Sequence, residues 1–185
     1  PEPHRAFIAG IEAKYAVPKP SGPGMRTRFI RSEEIQDAQI AAVAASDVDL
    51  VALGIGCPPE VVATMKARGK TTVALVGQER HAAKALEAGV DLPVAQGYDA
   101  GGHTGVVGTF SLVPRIVDLA GDVPVLAAGG VSTGRHIAAA LAMGAAGVWV
   151  GTAFLLTEEN ASHLTPGEVE ALVRSQATDT VISRA

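Results

Sequence analysis

Residues 123–151, VPVLAAGGVSTGRHIAAALAMGAAGVWVG, decide the fold that this sequence predicts. An apolar run ends at Gly129-Gly130, a helix-forming stretch follows at residues 134–143, and Gly144 precedes a second apolar run at residues 147–150. Glycine after a helix suits the left-handed backbone that ends many helices, and glycine after a strand allows a tight turn. The stretch therefore predicts a strand, a helix and the next strand.

The same order of apolar run, glycine and helix recurs along the preceding chain. The runs are continuous, not alternating, which is typical of parallel strands covered on both faces. Five strand-then-helix units of this size predict an α/β fold, either a barrel or a doubly wound sheet. The predicted strands are 49–53, 71–76, 92–96, 123–128 and 147–150, and the predicted helices among them are 59–68, 78–88, 112–120 and 134–143.

The two ends of the chain differ from this repeat. Residues 1–31 are rich in Pro and Gly and predict a loop segment, in which Arg26, Arg28 and Arg31 either meet an anionic substrate or form a solvated basic loop. Residues 32–164 hold the α/β portion, beginning with a helix to about residue 45. Residues 165–185 begin with Thr-Pro-Gly-Glu, a capping-box pattern that predicts a helix. The remainder is predicted to start a truncated segment.

Composition excludes several classes of protein. The 185 residues are 48% hydrophobic and 18% charged, so the chain is not disordered, and a single Cys excludes a disulfide scaffold. A net charge of −4 leaves no basic surface for nucleic acid. The uncharged run 137–157 is long enough to cross a membrane, but its glycines divide it into a helix, a turn and a strand, so we predict no membrane span.

The beginning of the chain has neither a starting Met nor a signal peptide. We therefore expect a cytoplasmic protein, of which this sequence is an internal part. A part of a sheet leaves strand edges unpaired, which predicts association, so a homo-oligomer is one expectation.

Ligands of parallel α/β folds bind where the strands end, and three loops stand out there. The first, residues 96–105, surrounds His103 with four glycines, and its imidazole can take a proton near neutral pH. The alternative is a loop with a solvent-exposed His. The second and third loops contain Gly129-Gly130 and Gly151-Thr152. Glycine turns that lead into helix N-termini favour a phosphate, although ordinary turns between strand and helix have the same pattern.

Other reactive side chains are weaker candidates. Cys57 follows a strand and is interpreted as a small turn residue in preference to a nucleophile. No lysine lies at the carboxyl end of a strand, which argues against a Schiff-base enzyme. No His, Cys or carboxylate pair has metal-ligand spacing, so we predict no metal site. The remaining histidines are predicted in helices (His81, His136) or in loops (His4, His163).

Three motifs together resemble one family. Residues 97–105, GYDAGGHTG, are similar to the G-x-E-A-G-G-H-x-G signature of nitronate monooxygenases, and residues 124–131 and 147–155 resemble the two later motifs of that family in order and spacing. FMN-dependent enoyl-acyl-carrier-protein reductases share all three. Two positions depart from the pattern: Asp99 stands where Glu is usual, and Trp149 stands where Gln is common.

The resemblance implies a (β/α)8 TIM barrel that binds FMN, incomplete here because strands 4–8 are present and strands 1–3 are missing. It implies that His103 is the catalytic base and takes a proton from the carbon that bears the nitro group. It also implies a set of flavin-binding residues, of which the glycine turns would hold the phosphate: Gln96, Gly101, Gly102, Gly129, Gly130, Gly151 and Thr152.

Three readings of the function stay open at this point. The first is oxidation of an alkyl nitronate by O₂, and the second is NAD(P)H-linked reduction, or dehydrogenation, of an acyl thioester carried by an acyl carrier protein or CoA. The third is a non-flavin barrel that only binds a phosphate. We also expect that these 185 residues alone do not hold FMN tightly, because the early flavin-contacting loop of the family is missing.

Overall fold

The computed structural model describes residues 33–54 and 56–182 of the chain. The chain divides between Ala42 and Val43, and the sheet described here belongs entirely to the second unit. The predicted loop segment 1–31, with Arg26, Arg28, Arg31 and His4, lies outside the described residues. The helices are α1 (Glu33–Ala45), α2 (Pro59–Ala67), α3 (Glu79–Glu87), α4 (Thr109–Ala120), α5 (Gly134–Ala142) and α6 (Pro166–Arg174). The strands are β1 (Leu50–Leu53), β2 (Thr71–Val76), β3 (Leu92–Gln96), β4 (Leu126–Ala128) and β5 (Gly147–Trp149).

The five strands form one parallel sheet in the order in which they occur along the chain. A helix joins each strand to the next, which is the connection that parallel strands need. Each strand therefore ends at the same edge of the sheet. The predicted α/β fold with parallel strands is confirmed.

The strands bury residues on both faces, as their continuous apolar pattern predicts. On one face, Val73, Val94 and Ala128 form a small cluster, against which Trp149 packs. On the other face, alternate residues such as Ala74, Ala95 and Ala127 join the main core with the buried sides of the helices. β2 and β3 are mostly buried, whereas β1 is only partly buried, because it lies at one end of the strand order.

Two predicted boundaries differ from the structure by three residues. β4 begins at Leu126 and not at Val123, because only residues 126–128 pair with both neighbouring strands. α4 begins at Thr109 and not at Leu112. Its earlier start has a non-local cause, the Asp99 carboxylate described below. The capping box predicted for α6 is present, since Glu168 accepts a hydrogen bond of 2.7 Å from the backbone N–H of Thr165.

The uncharged run 137–157 contains the end of α5, all of β5 and a short 3₁₀ turn at Thr152–Phe154. Within the two described ranges, no helix combines the length and the apolar character needed to cross a membrane.

At the edge of the sheet where the strands begin, Asp91 lies just before β3 and forms hydrogen bonds with α2 and β2. One carboxylate oxygen accepts a 2.7 Å hydrogen bond from Lys66 Nζ, and the other accepts hydrogen bonds from the backbone N–H and the hydroxyl of Thr72 at 2.9 and 2.7 Å. Thr72 is fully buried, so Asp91 is the acceptor that satisfies it. Burial raises the pKa of Asp91, but the hydrogen bonds from Lys66 and Thr72 outweigh it and leave the pKa below its ordinary value.

We expect Asp91→Asn to lower the free energy of unfolding at pH 7 by about 1–3 kcal/mol, because an amide cannot satisfy both Lys66 and the buried Thr72. A lowered folded-state pKa gives stability that is present above the unfolded-state pKa of about 3.9 and is lost as the pH falls through the folded-state value. The difference in the free energy of unfolding between Asp91→Asn and the parent should therefore shrink as the pH approaches 3.

Urea unfolding at a series of pH values measures both effects. Asp122→Asn is the matched control, because Asp122 is exposed and makes no hydrogen bond within residues 33–54 and 56–182. If the free energies of unfolding of Asp91→Asn and the parent differed by the same amount across the acid range, a lowered pKa of Asp91 would be contradicted.

Candidate functional site

The three loops singled out by the sequence follow three adjacent strands. Gln96, Ala128 and Trp149 are the last residues of β3, β4 and β5, and in the sheet register Gln96 pairs with Ala128, which pairs with Trp149. The loops that follow these residues leave the sheet side by side, at the edge where ligands of parallel α/β folds bind. The fold thus brings the three candidate loops to one place.

In the structure the first loop runs from residue 97, after β3, to residue 108, before α4, and backbone hydrogen bonds give it a defined path. The N–H of Gly97 donates to Ala128 O at 3.0 Å, so the loop begins against the end of β4. The N–H of Tyr98 donates to Val107 O at 2.9 Å, which pairs the two ends of the loop. Further along, Gly105 contacts Gly77, the residue that follows β2. The loop therefore spans the ends of three strands.

Two side chains close this loop. Asp99 Oδ2 accepts a 2.7 Å hydrogen bond from the N–H of Thr109, the first residue of α4. The hydroxyl of Thr109 donates to Ala128 O at 3.2 Å. Asp99 was noted in the sequence only as a departure from Glu, and Thr109 was missed. Asp99 caps the start of α4 from ten residues earlier in the chain, a separation that no local capping pattern covers.

Glycine is required where the loops meet. A methyl carbon on Gly129 would lie 2.5 Å from Thr109 Oγ1 and 2.9 Å from the N–H nitrogen of Ala100, and one on Gly101 would lie 2.8 Å from Thr152 Oγ1. Gly129 and Gly130 also have φ values of +107° and +71°, which favour glycine over any other residue. The first loop thus contacts both the Gly-Gly turn after β4 and the Gly-Thr turn after β5.

His103 lies in the middle of the first loop and is exposed. Over the two described ranges, its imidazole has no hydrogen-bond partner and is open to a ligand from solvent. Gly102 is also exposed, with no atom near the position of a methyl group. Gln96 is half-buried at the end of β3. The predicted residues therefore share one edge, although none of them forms a hydrogen bond with His103 in the part of the chain that the structure describes.

His136 has a role that the sequence did not indicate. Its Nδ1 accepts hydrogen bonds from the N–H groups of Ser132 and Thr133 at 3.1 and 3.3 Å. The prediction that His136 lies in a helix is confirmed, and its ring in addition caps the N-terminus of that helix, α5. Two donors at this helix start are therefore already used. The S-T-x-x-H spacing, similar to a capping box, was the available signal.

The other reactive groups do not add to the site. Burial raises the pKa of the Cys57 thiol, which disfavours the thiolate that a nucleophile needs. In the described part of the chain, no three His, Cys, Asp or Glu side chains are placed to hold a metal ion. His163 ends a 3₁₀ helix, Glu158–His163, and does not lie in a loop as predicted.

A family model described as nitronate monooxygenase matches residues 9–185. The chain belongs to the nitronate monooxygenase family. The resemblance inferred from the three motifs is thereby confirmed. The match extends over the whole of the first loop and both glycine turns, so the site described above is a part of this family's shared sequence.

Individual relatives differ in their reactions. A Mycobacterium tuberculosis protein named as a monooxygenase, Rv1533, is 40% identical over 192 residues, which cover all of this chain and 50% of the relative. An indene-carboxyl-CoA dehydrogenase of Rhodococcus jostii is 46% identical over 127 residues, 68% of this chain and 35% of the relative. The chain thus spans half or less of the length of these two relatives.

Solved structures of the family share the fold. FabK (M276A) from Thermotoga maritima superposes with a TM-score of 0.76 at 32% identity, over 84% of this chain and 51% of that one. Nitroalkane oxidase from Streptomyces ansochromogenes gives a TM-score of 0.67 at 33% identity, over 82% and 45% of the two chains. The five strands and their helices match part of the TIM barrel of these proteins, which confirms the predicted incomplete barrel.

The residues of this nitronate monooxygenase family member fit a phosphate-bearing cofactor. Within residues 33–54 and 56–182, the backbone N–H groups of Gly130 and Gly151 have no protein acceptor, and a methyl group on Gly151 would meet no atom within 4 Å. Free donors beside open space are what a phosphate needs. Trp149, a departure from the Gln noted in the sequence, packs against the apolar cluster of the sheet.

Proposed function

We propose that the protein is an FMN-dependent oxidoreductase that oxidises alkyl nitronates with O₂. One observation carries the proposal: the loop with His103 contacts both Gly129 and Thr152, so a base and two free backbone donors meet at one edge of the sheet. When bound, FMN would supply the electron acceptor for the substrate. Gly130, Gly151 and Thr152 would hold its phosphate, and Gln96, Gly101 and Gly102 would contact the flavin from β3 and its loop.

The contribution of His103 is to move a proton. A nitroalkane has an acidic C–H beside its nitro group, and the exposed imidazole of His103, which has no hydrogen-bond partner among the described residues, can take that proton. The nitro group then carries the negative charge of the nitronate. The free backbone N–H groups at the same edge are suited to anions.

A second candidate is dehydrogenation or reduction of an acyl thioester with the same flavin. The 46% identity to a CoA-thioester dehydrogenase of Rhodococcus jostii favours it, since the two proteins share the same segment of the barrel. The basic residues Arg26, Arg28 and Arg31 suit an anionic carrier such as CoA. O₂ uptake with an alkyl nitronate, compared with NAD(P)H-dependent turnover of an enoyl thioester, separates the two reactions.

Flavin binding tests the cofactor. At the natural full length of the protein, we expect FMN to bind at least about tenfold more tightly than riboflavin, because each charge-assisted hydrogen bond to the phosphate contributes about 1.5–3 kcal/mol. Thr152→Val should remove about tenfold of the FMN affinity and leave riboflavin unaffected. Titration followed by flavin fluorescence measures both constants, and the same titration on residues 1–185 shows what this segment holds alone.

Thr180→Val is the control, since Thr180 is exposed and its hydroxyl donates to Ala177 O in the adjacent 3₁₀ turn. Equal affinities for FMN and riboflavin would show that the glycine turns do not bind the phosphate of FMN. No flavin binding at full length would reject the flavin proposal and leave a barrel that binds phosphate alone, for which inorganic phosphate is the probe.

A further inference from the structure

We propose that Asp99 is a positioning residue: its carboxylate closes the loop that carries His103 and thereby holds the base at the edge of the sheet. This inference rests on the function proposed above for His103. Asp99 is assigned to the loop and not to the proton transfer, because its Oδ2 accepts the backbone N–H of Thr109.

The start of α4 needs an acceptor that its own cap cannot supply. The N-cap residue is Gly108, which has no side chain, and a methyl group there would lie 3.3 Å from the ring of Tyr98. The first N–H groups of a helix lack partners within the helix. Asp99 Oδ2, ten residues earlier, accepts a 2.7 Å hydrogen bond from the N–H of Thr109. The carboxylate thus lies at the N-terminus of α4, where a negative charge is favoured.

This bond closes a loop and fastens it to the sheet. His103 lies between Asp99 and Thr109, so the bond joins the chain on either side of the base. Thr109 is in turn bonded through its hydroxyl to Ala128 O, the last carbonyl of β4. A continuous series of contacts therefore runs from β4 through Thr109 and Asp99 to the His103 loop.

The same pair of side chains supports the Gly-Gly turn. A methyl carbon on Gly130 would lie 3.4 Å from Asp99 Cβ, and one on Gly129 would lie 2.5 Å from Thr109 Oγ1. The loop that carries the base and the turn proposed for the phosphate are thus packed against one another. Because His103 has no hydrogen-bond partner in the described ranges, the position of its ring depends on how firmly this loop is held.

We expect Asp99→Ala to lower kcat for a neutral nitroalkane by about 10- to 100-fold, because a displacement of the base by about 1 Å is enough for such a loss. With FMN and substrate at saturating concentration, the loss should remain in kcat, because it comes from the displaced base. The dissociation constant for FMN should rise by less than kcat falls, since the same loop carries Gly101 and Gly102. Asp99→Asn should recover most of the rate, because the amide oxygen can accept the same N–H, although without the strength of a charged acceptor.

Hydrogen exchange of the apo protein gives a readout that needs no turnover. Asp99→Ala should speed exchange in the peptide that covers residues 100–109 and leave β2 unchanged. Asp118→Ala is the matched control, because Asp118 is exposed on α4 and has no hydrogen-bonded partner in the part of the chain that the structure describes. Neither kcat nor loop exchange should change in that variant.

Unchanged kcat and unchanged loop exchange in Asp99→Ala would overturn the inference. It would also be overturned if kcat fell only in proportion to the folded or FMN-bound fraction, which is the result expected of a general loss of stability. Absence of flavin binding and of nitroalkane turnover in the parent would instead reject the proposed function, and loop exchange alone would then decide whether Asp99 closes the loop.

Discussion

His103→Asn is expected to lower the rate of nitroalkane oxidation by about 100- to 10,000-fold, the usual contribution of a general base. Asparagine cannot take the proton from the carbon, but it fits an exposed position at which the native ring makes no hydrogen bond within the described residues. The fold and the affinity for FMN should therefore stay as they are. Stopped-flow measurement of flavin reduction under anaerobic conditions isolates the step.

The substrate can be supplied in two forms, which sharpens the test. A preformed nitronate has already lost its proton, so His103→Asn should affect its oxidation far less than that of the neutral nitroalkane. His81→Asn provides the matched control, because His81 is an exposed histidine on α3 that is not among the residues proposed for the site. Equal loss with both substrate forms would assign His103 to binding, and unchanged turnover with both would remove it from the mechanism.

Gly97→Ala is expected to destabilise the protein by about 3 kcal/mol, at the upper end of what overpacking costs. Gly97 is buried at the end of β3, and a methyl carbon there would lie 2.2 Å from the backbone nitrogen of Thr109 and 2.3 Å from its hydroxyl. Backbone atoms cannot turn away as a flexible side chain can. The substitution must therefore move the start of α4 away from β3, and the first loop with it.

Urea unfolding of Gly97→Ala beside Gly167→Ala measures the effect. Gly167 lies in the first turn of α6, where a methyl group meets no atom within 4 Å, so that variant should be neutral or up to about 1 kcal/mol more stable. FMN affinity should fall in Gly97→Ala and not in Gly167→Ala. A midpoint of Gly97→Ala equal to that of the parent would contradict the tight contact.

Most elements of the fold were predictable because their signals are local. Continuous apolar runs followed by glycine placed all five strands, and glycine after α2, α3, α4 and α5 placed the ends of these helices to within a residue. The start of α4 was wrong by three residues because the acceptor that caps it comes from Asp99, outside any local window. The start of β4 was wrong because a strand exists only where its neighbours pair with it.

The candidate site divides in the same way. His103 and the two glycine turns were named from sequence because each lies directly after a predicted strand. Thr109 was missed because nothing near it in sequence marks it as a contact of Asp99 or of Gly129. The capping role of His136 was available from its spacing to Ser132, but its hydrogen bonds are visible only in the structure.

The sequence by itself determined which loops are candidates for the site: its order of apolar runs and glycines sends residues 97–105, 129–133 and 151–152 to the same ends of parallel strands. Tertiary structure alone decided how those loops are fixed to one another. Asp99 forms a hydrogen bond with Thr109, ten positions later in the chain, and Thr109 forms one with Ala128, nineteen positions later. Gly101, in the loop after β3, packs against Thr152, in the turn after β5. Such contacts depend on distances between atoms that packing brings together, and no periodicity along the chain encodes them.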